Sequence, residues 1–125
     1  MVATSDAFDR IRIILCQTSH PGNIGATARA MKTMGIHRLY LVNPKKFPHP
    51  EATAMSSGAD DVLQHAHVVQ DLEEALKGVK LAVGLSARRR ELTQPYLDVR
   101  EVAHEMIRVA DHSDVAFVFG TEMSG

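Results

Sequence analysis

The sequence lacks the features that would place it in a membrane or in an oxidising compartment. No apolar run approaches the roughly 18 residues that a membrane-spanning helix needs. The first ten residues contain no apolar core of a secretory signal. Cys16 is the only cysteine, so no disulfide can form within the chain. These absences predict a cytoplasmic protein in a reducing environment, without membrane association.

The chain also lacks an excess of positive charge and a recognisable metal-binding motif. Its 14 Lys and Arg residues face 15 Asp and Glu residues, which gives a formal net charge of -1. A strongly basic, stand-alone nucleic-acid binder is therefore not expected, although a local basic patch remains compatible with this charge. The seven histidines match neither HExxH nor a tight Cys/His spacing, so we expect no metal site.

Short apolar runs alternate with helical patterns along the 125 residues. The patterns predict strands at 11–17, 38–42, 65–69, 81–85 and 115–119, and helices at 23–34, 51–57, 71–77 and 98–110. This alternation predicts an α/β domain with a mostly parallel sheet and helices on both faces. We expect residues 1–10 to be a leader and residues 11–125 to form the domain. Ligands of such sheets bind beyond the carboxyl ends of the strands.

A turn with two glycines follows the first predicted strand, in residues 22–29 (GNIGATAR). Gly22 and Gly25 would let the backbone approach a ligand beside a helix N-terminus. Arg29 follows Gly25 by one helical turn, with Lys32 beside it, which suits a phosphate or a hydroxyl group. A tight turn followed by a solvated Arg and Lys explains the spacing equally well. A dinucleotide site is disfavoured, because the segment offers GxxG where that fingerprint needs GxGxxG.

A basic segment follows the fourth predicted strand. Ser86 and Ala87 leave backbone groups exposed at the edge of the sheet, and Arg88, Arg89 and Arg90 come directly after them. Three consecutive arginines at this edge would suit a phosphate backbone, whereas the alternative is a solvated basic loop.

A glycine turn with a carboxylate follows the last predicted strand. Gly120 would permit a sharp exit after Phe119, and Glu122 would place its carboxylate at the rim. A carboxylate near Arg29 would orient the guanidinium by bidentate hydrogen bonds. An ordinary turn with an exposed Glu is the alternative.

Together these segments resemble the SpoU/TrmH family of SPOUT RNA methyltransferases. The first motif of that family, Asn-x-Gly-x-x-x-Arg with a later Gly, is matched by Asn23, Gly25, Arg29 and Gly35. The second, Phe-Gly-x-Glu-x-x-Gly, is matched by Phe119, Gly120, Glu122 and Gly125. The likeness runs from about residue 11 to the end. The runs at 18–25, 28–35 and 42–44 are similar to a bacterial subfamily that methylates nucleotide 32 of the tRNA anticodon loop.

The resemblance implies an S-adenosylmethionine (SAM)-dependent ribose 2′-O-methyltransferase that acts on tRNA as a homodimer. It implies three sets of site residues: Asn23, Arg29 and Glu122 in catalysis; Leu85, Ser86, Ala87 and Gly120 in SAM binding; and Lys32, Arg88, Arg89 and Arg90 in RNA binding. Because a guanidinium group is a poor base, we expect Arg29 to stabilise a developing alkoxide rather than to take up a proton.

The resemblance also implies a SPOUT α/β-knot fold with its C-terminal part missing. The family continues past the second motif into a third motif and a final helix, which thread a trefoil knot and complete the SAM pocket. The sequence stops at Gly125, before that segment. We therefore expect a truncated catalytic domain with impaired activity. A non-catalytic nucleotide- or RNA-binding α/β module is the alternative function.

Overall fold

The computed structural model describes residues 5–85 and 99–120. Within them, five parallel strands form one sheet in the order β3-β2-β1-β5-β4. The strands are β1 (Ile11–Cys16), β2 (Arg38–Val42), β3 (His67–Val69), β4 (Val79–Leu85) and β5 (Asp114–Phe119). The central strand β1 is almost entirely buried, as expected of a parallel strand that is covered on both faces. The predicted α/β fold is confirmed.

Helices lie on both faces of this sheet, as the sequence predicts. The described helices are α1 (Ser5–Asp9), α2 (Pro21–Met34), α3 (Pro50–Ser56), α4 (Asp60–Gln64), α5 (Leu72–Ala75) and α6 (Val99–Ala110). On one face, Ile13 and Leu39 belong to a core shared with α1, α2, α3, α4 and α6. On the other face, Ile14 and Tyr40 pack with Ala75 of α5. No helix in the described ranges is long and apolar enough to cross a bilayer.

Helix α2 shows how the sequence produces its element. Ile24, Ala28 and Met31 recur at helical spacing and are all fully buried against the sheet. The helix begins at Pro21, two residues earlier than predicted, because proline suits the first helical turn, where its missing N–H costs no hydrogen bond. Gly35 ends it with a left-handed φ of 81°, as predicted.

Two short helices were absent from the prediction. Helix α4 has only five residues, of which Val62 and Leu63 are buried. Helix α1 lies within the expected leader, and its Ala7 is fully buried in the core. The neighbouring Arg10 donates through Nη1 to the carbonyl oxygen of Ala110, 3.1 Å away, which ties the start of β1 to the end of α6.

Candidate active site

The carboxyl ends of β1, β2 and β3 are joined by backbone hydrogen bonds just where their loops begin. The N–H of Gln17 donates to the carbonyl oxygen of Val42 at 2.7 Å, and the N–H of Asn43 donates to that of Val69 at 2.8 Å. Gln17 and Asn43 have left-handed φ values of 53° and 47°, which non-glycine residues seldom adopt. The backbone therefore turns sharply out of the sheet after β1 and after β2, at positions that these hydrogen bonds fix.

Asn23 and Arg29 are both exposed on α2, but the helix separates them. Six helical residues place them about 9 Å apart along the axis and about 120° apart around it. The N–H of Asn23 donates to the carbonyl oxygen of His20 at 3.0 Å, in the first turn. Within the described ranges, the guanidinium of Arg29 has no hydrogen-bond or ion-pair partner, so it is available to an anionic ligand.

Lys32, by contrast, already has an acidic partner. Its Nζ lies 3.0 Å from Oδ1 of Asp61 and 3.4 Å from the carbonyl oxygen of Gly58, so it ties α2 to the start of α4. The hydrogen bond from Lys32 lowers the pKa of Asp61 below its ordinary value. Contact between Lys32 and an RNA phosphate would therefore require the ammonium to be shared with Asp61.

The two glycines near the start of α2, Gly22 and Gly25, lie against α3. A Cβ on Gly25 would lie 2.1 Å from the carbonyl oxygen of Ala52 and 2.9 Å from Cβ of Met55. A Cβ on Gly22 would lie 2.9 Å from a carboxylate oxygen of Glu51. At Gly25, the prediction that a ligand approaches the backbone is wrong, because the backbone of α3 occupies that space and the glycine allows the two helices to pack closely. At Gly22, only side-chain atoms of α3 lie within 4 Å.

The expected cofactor residues that the structure describes lie together. Leu85 of β4 pairs with Phe119 of β5, and the N–H of Gly120 donates to the carbonyl oxygen of Leu85 at 3.4 Å. The side chains of Leu85 and Phe119 are 40% and 37% exposed, so this pair presents apolar surface where β4 and β5 end. A Cβ on Gly84 or Gly120 would meet no described atom within 4 Å, so the backbone is open here.

Six of the predicted site residues lie outside the described residues. They are Ser86, Ala87, Arg88, Arg89, Arg90 and Glu122. Within the described residues, no group of three or more His, Cys, Asp or Glu side chains could hold a metal ion.

Cys16 ends β1, immediately before the loop that leads to α2. It is partly buried, and burial raises the pKa of its thiol above the ordinary value. A neutral thiol is therefore the dominant form at neutral pH.

Sequence reasoning also passed over the loop between β2 and α3. The N–H of Lys45 donates to the carbonyl oxygen of Thr18 at 3.2 Å, which joins this loop to the one that precedes α2. The adjacent Lys45 and Lys46 could have marked this loop as a functional one. A pair of lysines in a proline-bracketed loop is, however, common on protein surfaces.

Sequence comparison identifies the family of this α/β domain. The SpoU rRNA methylase family profile matches residues 10–125, which is nearly the whole chain. The chain therefore belongs to the SpoU methylase family.

Within this family, the chain is similar to tRNA methyltransferases named TrmJ. The chain is 51% identical over 117 residues to the tRNA (cytidine/uridine-2′-O-)-methyltransferase TrmJ of Photorhabdus laumondii, covering 94% of this chain and 48% of that protein. It is 52% identical over 118 residues to the tRNA (cytidine/uridine/adenosine-2′-O-)-methyltransferase TrmJ of Pseudomonas aeruginosa, covering 94% and 46%. The chain spans about half the length of these curated relatives.

A solved structure agrees in fold and sequence. The crystal structure of a probable methyltransferase from Bordetella pertussis Tohama I superposes with a TM-score of 0.88 at 46% sequence identity. The match covers 98% of this chain and 75% of that one.

Proposed function

We propose that this chain is the catalytic part of a cytoplasmic tRNA ribose 2′-O-methyltransferase, with the domain at residues 11–125 and α1, from the expected leader, packed into its core. Its substrate would be cytidine or uridine at nucleotide 32 of the anticodon loop, its methyl donor SAM, and its working form a homodimer. The observation that carries the proposal is Arg29. It stands at the motif position of the family, on a helix held firmly against the sheet, with a guanidinium that no described acid neutralises.

The described part of the edge fits the nucleoside part of SAM. Leu85 and Phe119 offer exposed apolar surface for an adenine ring, and the open backbone at Gly84 and Gly120 leaves room beside them. Leu85, Ser86, Ala87 and Gly120 would hold the cofactor. When bound there, SAM supplies an electrophilic methyl group.

The side chains of this chain would then activate the ribose. Because a guanidinium group is a cation with several N–H donors, that of Arg29 would stabilise negative charge on the 2′-oxygen and on the adjacent phosphate. Asn23, which α2 separates from Arg29, would donate a hydrogen bond to another part of the substrate, and Glu122 would orient Arg29. Lys32 and Arg88, Arg89 and Arg90 would contact further phosphates, with Lys32 also retaining Asp61.

The test replaces Arg29 by Ala in the whole protein and follows methyl transfer to an unmodified tRNA. We expect kcat to fall on the order of 10²-fold or more, since the lost contact acts mainly in the transition state, while the Kd for SAM stays unchanged. Arg108→Ala is the matched control, because Arg108 is an exposed arginine on α6. It should leave kcat unchanged.

Other outcomes would redirect the assignment. Loss of SAM binding by a folded Arg29→Ala variant would make Arg29 a cofactor residue. A wild-type protein that binds tRNA but transfers no methyl group would favour the non-catalytic RNA-binding module.

A further inference from the structure

The loop between β2 and α3 carries an exposed pair of lysines next to the loop that precedes α2. Lys45 and Lys46 are both exposed, and neither ammonium group has an acidic partner among the described residues. The hydrogen bond from Lys45 to Thr18 holds this pair next to the loop that opens α2. Two unneutralised cations at a held position are suited to contact with phosphates.

The loop residues that follow this pair line a hollow of about 340 Å³, together with residues of α3 and α4. Its lining includes Phe47 and His49 from the loop, Thr53 from α3, and Asp60 and Gln64 from α4. Ligand clefts in proteins span roughly 300–1,000 Å³, so this one suits a single nucleotide rather than a larger ligand.

The polar groups of the hollow suit a base rather than a phosphate. The carboxylate of Asp60 receives the Ser56 hydroxyl on Oδ1 at 2.8 Å and keeps Oδ2 as an acceptor. Nδ1 of His49 accepts the N–H of Glu51 at 3.0 Å, so neutral His49 carries its proton on Nε2 and donates from there. A carboxylate repels a phosphate, but it accepts from the exocyclic amino group of a base such as cytosine.

We propose that Lys45, Lys46 and this hollow form a second RNA-binding site, here called the loop patch. It takes one unpaired nucleotide of the RNA substrate, with the base in the hollow and the flanking phosphates on the two lysines. The inference rests on the proposed function, since it assumes an RNA substrate. It assigns phosphate contact to lysines without acidic partners, whereas Lys32 is paired with Asp61.

The test measures tRNA affinity against salt concentration for the double variant Lys45→Ala/Lys46→Ala. Each lost phosphate contact reduces the slope of log K against log salt by about 0.7 for single-stranded RNA, so two contacts reduce it by about 1.4. The same constant gives about 25-fold weaker binding at about 0.1 M salt. The double variant Lys77→Ala/Lys80→Ala is the matched control. It makes the same charge change at two exposed lysines near the start of β4 and should leave the slope unchanged.

The hollow has a separate signature. Gln64→Ala, which changes no charge, should weaken tRNA binding at every salt concentration without changing the slope, because base contacts release no counterions. Asp60→Asn should remove a preference for oligocytidine over oligouridine. Both residues are exposed, so neither change should unfold the protein.

Two outcomes would overturn the loop patch. Equal slopes for the two lysine double variants would overturn the loop patch, and so would a wild-type protein that binds no tRNA. SAM-dependent methyl transfer, measured in parallel, separates the two proposals. Methyl transfer with an unaffected slope sinks only the loop patch, whereas an affected slope without methyl transfer sinks only the proposed function.

Discussion

A Cβ atom on Gly25 would lie 2.1 Å from the carbonyl oxygen of Ala52, far inside any allowed contact. The clash is with backbone, which no side-chain rotation relieves. By contrast, a Cβ on Gly22 would meet the carboxylate of Glu51, at the far end of a flexible side chain. These two glycines, three residues apart near the start of α2, therefore differ sharply in the side chains that they tolerate.

Gly25→Ala should destabilise the protein by about 2 kcal/mol. Overpacking costs roughly 1–3 kcal/mol and here lies at the upper end, while the better helix propensity of Ala returns about 1 kcal/mol or less. Gly22→Ala should change the free energy of unfolding by no more than about 0.5 kcal/mol, because Glu51 can move aside. Urea denaturation of both variants measures the difference. Equal midpoints would show that α3 does not restrict α2 in this way.

The ion pair between Arg12 and Asp114 should respond unequally to loss of either partner. Nη2 of Arg12 lies 2.7 Å from Oδ2 of Asp114, and the Arg12 side chain is only 8% exposed. Asp114→Asn leaves that buried cation without its carboxylate and should cost about 3 kcal/mol. Arg12→Met leaves Asp114 paired with Arg38, whose Nη1 is 3.2 Å away, so it should cost less. Thermal unfolding of the two variants compares them, and a larger loss for Arg12→Met would contradict this account.

The contact between Lys32 and Asp61 should be visible as a pH titration. Because the hydrogen bond from Lys32 lowers the pKa of Asp61 in the folded state, the stability it contributes is present above the ordinary carboxyl pKa. That contribution is lost as the pH falls through the lowered pKa. Lys32→Met should raise the titration midpoint of the Asp61 carboxyl carbon in NMR spectra. Glu105, whose pKa is lowered by Arg108, is the internal control and should not move.

Cys16 should react slowly with alkylating reagents at neutral pH. Burial raises the pKa of its thiol, so the thiolate that reacts is scarce. The rate of iodoacetamide modification should increase steadily with pH and level off only above the ordinary thiol pKa. An unfolded sample in urea, where burial is lost, should react faster at every pH below that range. Equal rates for folded and unfolded protein would show that the thiol is not protected.

Much of the fold was predictable because the spacing of apolar residues in the sequence indicates which positions of a helix or strand are buried. Residues 98–110 repeat apolar residues at helical spacing, and α6 covers Val99–Ala110. The apolar runs at 38–42 and 115–119 became β2 and β5 with little change. By contrast, five residues with two buried side chains cannot establish a periodicity, so α4 was not predicted.

The sequence predicts where the site lies, and that position stays a prediction, as do the roles of most of its residues. The rule that ligands bind at carboxyl ends of strands located the edge, and Leu85 and Gly120 do lie together there. The meaning of Gly22 and Gly25 depended on α3, which begins 25 residues after Gly25 along the chain. A glycine next to a ligand and a glycine next to a helix look alike in one sequence.

The strand order has a further consequence for how ligands act on this protein. The chain builds outward from β1 to β3 on one side and returns through β4 and β5 on the other, so the winding direction reverses between β1 and β5. The residue pair Leu15 and Phe119 marks that reversal. A ligand bound there contacts the first and last strands of the described chain. The binding site is therefore complete only when the half formed by β1, β2 and β3 is packed against the half formed by β4 and β5. Ligand binding should therefore stabilise the packing of the two halves against each other. It should slow amide hydrogen exchange in both halves together.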